Sequence, residues 1–130
     1  MIVSQVLDIV DENVNVYVRD VLTNELITCY DGRNSIATHV LIDAVEHMTI
    51  TADGNGIVLK IMYSATDFSD LNGEAKLNCV HDYVYKICPY EHFDNMSMLE
   101  IAECAWEFWR PSEYTLDRKG NWYDEDFQKI

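Results

Sequence analysis

Four cysteines and four histidines are the side chains of this sequence best suited to metal or nucleophilic chemistry. Two of each fall close together, as Cys79-x-His81 and Cys88-x3-His92, and thiolate with imidazole is a ligand set that suits zinc. The spacing argues against a shared ion. On a helix over residues 71–87, Cys79 and His81 lie about 200° apart around the axis and point away from each other. A cysteine–histidine pair could also act as nucleophile and base, but no recognisable motif surrounds either thiol, and no cluster of basic residues stands ready to depress a thiol pKa. Phosphate-cradling glycine loops and the Gly-x-Ser-x-Gly nucleophile elbow are absent from the sequence. Asp53-Gly54-Asn55-Gly56 opens like a calcium loop, yet Ile57-Val58-Leu59 follows where further acidic ligands are needed. A turn is the better reading there. The expectation is a protein that is not an enzyme, with no catalytic residue, no metal ligand and no cofactor.

What remains is charge combined with aromatic rings. Between Glu91 and Asp126 ten carboxylates accumulate, with three tryptophans alongside or among them. Carboxylates spaced over a rigid surface can stand in for nucleic-acid phosphates, and rings can supply buried anchors for a protein partner. The candidate partner-binding set is Glu100, Glu103, Glu107, Glu113, Asp117, Trp122, Asp124, Glu125 and Asp126. The plain alternative is a solvated acidic face over a tryptophan-rich core. The net charge of −14 is no tail effect: residues 1–66 hold nine acids and three bases, and residues 67–130 hold fourteen and six. Such a surface repels nucleic acid and anionic membrane and attracts basic proteins.

The elements that would position these groups follow from periodicity. Val3, Val6, Leu7 and Val10 recur at helical spacing over residues 2–12. Val14, Val16 and Val18 then alternate as in a half-buried strand, and Thr23-Asn24 turns the chain into a returning strand at 25–30. Two β-rich runs, 45–51 and 57–63, flank the Asp-Gly-Asn-Gly turn. Leu77, Val80, Val84 and Ile87 form a helical stripe over 71–87, ended by Pro89. Ser97 and Glu100 form a capping box for a helix over 98–110, with Met96 and Ile101 placed as the hydrophobic staple and Pro111 as the stop. Residues 113–117 and 121–123 flank Arg118-Lys119-Gly120 like a hairpin. The expected fold is α+β: an antiparallel meander of about four strands packed with two or three helices. It is read as a single domain, with a β-rich half over 1–66 and a helical half over 67–130. A hydrophobic content of 48% is too high for a disordered acidic chain. The opening residues lack a basic region before their apolar run, so no export signal is expected. The cysteines are then reduced in a cytoplasm. A homodimer is left open.

Tyr17-Val18-Arg19-Asp20, Asn24-Glu25-Leu26-Ile27, Tyr30-Asp31-Gly32 and the acidic, aromatic ending from Trp122 to Phe127 give the chain a character of its own. In these segments, and in size, acidity and style, it resembles the accessory proteins of phages and mobile elements, anti-CRISPR and anti-restriction inhibitors in particular. The likeness is one of general character and carries no functional residue with it. It implies a non-enzymatic inhibitor in a bacterial host cytoplasm that blocks the nucleic-acid groove of a basic partner, a Cas effector or similar enzyme, with no direct contact to nucleic acid or membrane. The other expectation is an immunity-like or regulatory module that binds its partner through the Trp106/Trp109 region, with acidity incidental.

Overall fold

The computed structural model describes all 130 residues and divides them into two compact units, Met1–Tyr63 and Ser64–Ile130. Each unit has its own apolar core. The class is α+β.

Unit 1 carries helix α1 (Val3–Ile9) and strands β1 (Asn15–Asp20), β2 (Leu26–Tyr30), β3 (His47–Ile50) and β4 (Gly56–Ile61). The strands form one sheet in the order β2-β1-β4-β3. β1 pairs antiparallel with β2 but parallel with β4, so the sheet is mixed where the alternation predicts a meander. The reason lies in which strands carry apolar side chains. Val16, Val18, Leu59 and Ile61 are fully buried, whereas all four residues of β3 are exposed. A meander would put β3 inside the sheet and β4 at its edge; the observed order gives both central places to the two strands that bury the most. Residues 31–46 carry the chain across, including a 3₁₀ turn at Thr38–Val40. α1 closes the core with Val3 and Val6. Asp20, inward-facing on β1, is buried and satisfied: its carboxylate accepts the Tyr63 backbone N–H at 3.2 Å and the Thr23 hydroxyl at 2.8 Å. Asn24 takes a positive φ of 61° in the turn that follows. The Asp53 carboxylate accepts the Thr51 hydroxyl and the Asn55 N–H, which builds the β3–β4 turn.

Unit 2 carries helices α2 (Gly73–Asp82) and α3 (Met98–Trp109) and the short strands β5 (Thr115–Leu116) and β6 (Trp122–Tyr123), paired antiparallel. α2 is capped by the Asn72 side chain, which accepts the Ala75 N–H. The α-helix ends earlier than the stripe to Ile87 predicts, and a π-helical turn over Tyr83–Ile87 follows it. The Cys79 carbonyl, which accepts the Tyr83 N–H, also accepts the Trp122 indole N–H at 3.1 Å. The turn closes with the Cys88 N–H on the Tyr83 carbonyl, five residues back, directly before Pro89. α3 follows the sequence closely: Ser97 caps it, Glu100 reaches back to Ser97, and Met96 packs in the same core as Ile101.

Candidate partner-binding surface

α3 presents Glu100, Glu103 and Glu107 to solvent, because residues three and four apart share a helix face. Glu100 also serves the cap, accepting the Ser97 hydroxyl at 3.1 Å. Its charge lies in the first turn, where the helix dipole favours an anion.

The β5–β6 hairpin and the last turn of the chain bring a second acidic group together. Glu113, Tyr114, Asp124 and Glu125 line one surface cavity of about 310 Å³. Asp124 is fixed there because its Oδ1 accepts the backbone N–H groups of Asp126 and Gln128, each at 2.9 Å. Glu113 and Glu125 share a side-chain hydrogen bond. That bond and the charge of Glu113 raise the Glu125 carboxyl above its ordinary range, and Asp126 and Asp124 push in the same direction. A carboxyl whose pKa is raised on folding is destabilising while it is ionised. The strain is present at neutral pH and is relieved as pH falls through the raised value. Glu113, Asp124 and Asp126 thus crowd Glu125 with like charge.

Two of the expected contact residues cannot meet a partner. Trp122 is 0% exposed and Asp117 4% exposed. The physical cause is the hairpin itself. Asp117 Oδ1 accepts the N–H groups of Lys119 and Asn121 at 2.9 Å, and Oδ2 accepts the Tyr123 hydroxyl at 3.0 Å, so this carboxylate organises the turn. The Trp122 ring stacks within an aromatic cluster of Tyr83, Phe108 and Tyr114. The run Trp122-Tyr123-Asp124-Glu125-Asp126-Phe127 contains no local signal for which members turn inward; the pairing of β5 with β6 decides it.

Trp106 and Trp109 are half-buried against the unit 2 core, their rings 4.5 Å apart, and the Trp109 indole N–H is buried without a hydrogen-bond partner. The exposed apolar surface of α3 lies elsewhere. Leu77, Met98 and Leu99 are 55%, 51% and 60% exposed and, with Val80 and Ala102, line a groove of about 150 Å³ along α2 and α3.

The thiols and imidazoles take up other work. Cys79 is buried, and burial pushes its thiol up to about 12, so it stays protonated. His81 is exposed and stands against the Tyr85 ring at 4.9 Å. No three side chains among His, Cys, Asp and Glu cluster closely enough to hold a metal ion. No helix is long and apolar enough to cross a membrane. No family model, curated protein or solved structure matches the chain.

Proposed function

We propose that this protein is a non-enzymatic inhibitor whose acidic unit 2 surface occupies the basic groove of a nucleic-acid-binding protein, in the manner of an anti-CRISPR protein facing a Cas effector. The observation that carries the reading is the crowding of Glu113, Asp124 and Glu125 around one surface cavity beside Asp126, where the hydrogen bond and charge of Glu113 raise the Glu125 carboxyl above its ordinary range. Mutual repulsion of this kind costs stability in the free protein and is offset when Lys and Arg side chains arrive from a partner. Glu103 and Glu107, exposed on α3, add to the negative charge of unit 2, while Asp117 and Trp122 hold the hairpin from inside.

The test begins with capture of a partner from bacterial lysate on the immobilised protein, followed by competition against that partner's own nucleic acid. Displacement of the nucleic acid, together with an affinity that falls steeply with salt, is the expected result. Neutralising Glu113, Asp124, Glu125 and Asp126 together is expected to weaken binding by orders of magnitude, mainly through slower association. Simultaneous, undiminished binding of protein and nucleic acid would end the reading.

A second reading has its own observation. The exposed Leu77, Met98 and Leu99 groove fits a protein-binding module of the immunity or regulatory kind, with the acidity incidental. Binding through it would survive high salt and the fourfold neutralisation but not Leu99→Asp.

A further inference from the structure

The core of unit 1 is open on one side. Six apolar residues pack against that core while remaining partly exposed, and four of them, Leu7, Val10, Tyr30 and Leu41, line a single cavity of about 340 Å³. Their partial exposure therefore has one common cause. The floor is made by Val16 and Ile36, both buried, and Val14 completes the wall. The volume lies within the range of about 300–1,000 Å³ that small-molecule sites occupy.

The polar groups of this cavity are not balanced in charge. Asp11 and Glu12 contribute to its lining and are exposed at its rim, Ser35 is neutral, and no Lys, Arg or His takes part. The two acids are held in place by the turn that joins α1 to β1. Asp11 Oδ1 accepts the Asn13 N–H at 2.9 Å, its carbonyl accepts the Val14 N–H, and the Glu12 carbonyl accepts the Tyr30 hydroxyl at 3.0 Å. Tyr30 thereby presents its ring as a fixed wall, with its polar end already satisfied.

We propose that this cavity is a binding site for a small organic cation, an alkyl- or arylalkyl-ammonium whose apolar body enters between α1 and the sheet while its charged head stays at the Asp11/Glu12 rim. The apolar walls select for hydrocarbon, since burying it removes area from water. The rim selects the sign of the head group, because a carboxylate there meets two like charges and an ammonium meets two opposite ones. The site belongs to unit 1 alone and does not rest on the partner proposed for the acidic surface of unit 2.

Three probes of matched size separate the contributions: hexylammonium, hexanol and hexanoate, each titrated into the full chain and followed by methyl NMR. Hexylammonium is expected to shift the methyl signals of Leu7, Val10, Val14, Val16, Ile36 and Leu41 and to bind about tenfold or more tighter than hexanoate, with hexanol between them. That ratio corresponds to about 1.4 kcal/mol, within the combined reach of a few exposed charge contacts. Asp11→Asn with Glu12→Gln is expected to bring the three probes within about threefold of one another while leaving hexanol unchanged. Val14→Phe, which fills the cavity, is expected to abolish all three. Equal binding of all three by the unaltered protein overturns the proposal, as does shifting of methyls outside this set. If Val14→Phe fails to fold, the loss of head-group preference in the Asp11/Glu12 variant still decides the matter.

Discussion

At the scale of single residues, one glycine in the hairpin of unit 2 has no room for a side chain. Gly120 has a φ of +81°, and a Cβ built there would lie 2.0 Å from the Ala75 carbonyl oxygen. The close approach lets the hairpin turn dock on α2, where Asn78 Nδ2 donates to the Lys119 carbonyl at 3.0 Å and to Asn121 Oδ1 at 2.9 Å. Gly120→Ala therefore meets two penalties: the left-handed backbone, about 1–2 kcal/mol, and a clash with backbone that cannot swing aside. Gly54→Ala meets only the first, since nothing lies within 4 Å of that position. Denaturant unfolding is expected to show Gly120→Ala destabilised by well over 2 kcal/mol and Gly54→Ala by about 1–2 kcal/mol. Equal losses would mean that the hairpin shifts without resistance. The turn at 118–120 was readable from its residue types, but the docking was not, because Ala75 and Asn78 are more than forty positions away.

At the scale of elements, local signals were reliable and pairing was not. The capping box at Ser97–Glu100, the staple and the stop at Pro111 all act within a few residues of each other, and α3 appears where they place it. The strands of unit 1 are similarly legible from alternation. Their order is not, since period-2 patterning marks a buried face and says nothing about which strand lies alongside. Only the contrast between apolar β4 and exposed β3 bears on it, and that contrast opposes the shorter hairpin-by-hairpin path. The same limit governs the candidate surface. Glu100, Glu103 and Glu107 could be placed by helical spacing, whereas the burial of Asp117 and Trp122 depends on β5 meeting β6. α3 offers a direct check on its two faces. Ile101 is buried among Ala102, Ala105 and Trp122, so Ile101→Ala is expected to cost about 2–5 kcal/mol through lost burial and the cavity left behind. Leu99, on the open groove, is expected to lose less than about 1 kcal/mol on the same substitution, as surface positions do. Thermal unfolding of the two variants separates core from groove, and a comparable loss for both would show that the groove is covered.

At the scale of the whole molecule, the governing quantity is a net charge of −14 divided as −6 and −8 between the two units. Neither unit can neutralise the other, and each must hold its own core against self-repulsion. Repulsion among exposed charges reaches over about 30 Å in 0.01 M salt and only about 8 Å at physiological ionic strength. Adding salt should therefore stabilise the free protein, since compaction crowds the charges more than the unfolded chain does. The same screening should weaken its complex with a basic partner, because there the charges attract. One ionic-strength series thus moves two observables in opposite directions. The melting temperature is expected to rise between 0.01 M and about 0.15 M sodium chloride, as the screening length falls from about 30 Å to about 8 Å and the long-range part of the repulsion is lost. Glu113, Asp124, Glu125 and Asp126, which lie close together, should contribute to this response as a group. Neutralising all four should raise the melting temperature in low salt and flatten its salt dependence. A melting temperature that falls with added salt would show that local attractive pairs outweigh the net repulsion. The acidity would then stabilise the free fold, and the mimicry reading would lose the strain on which it stands.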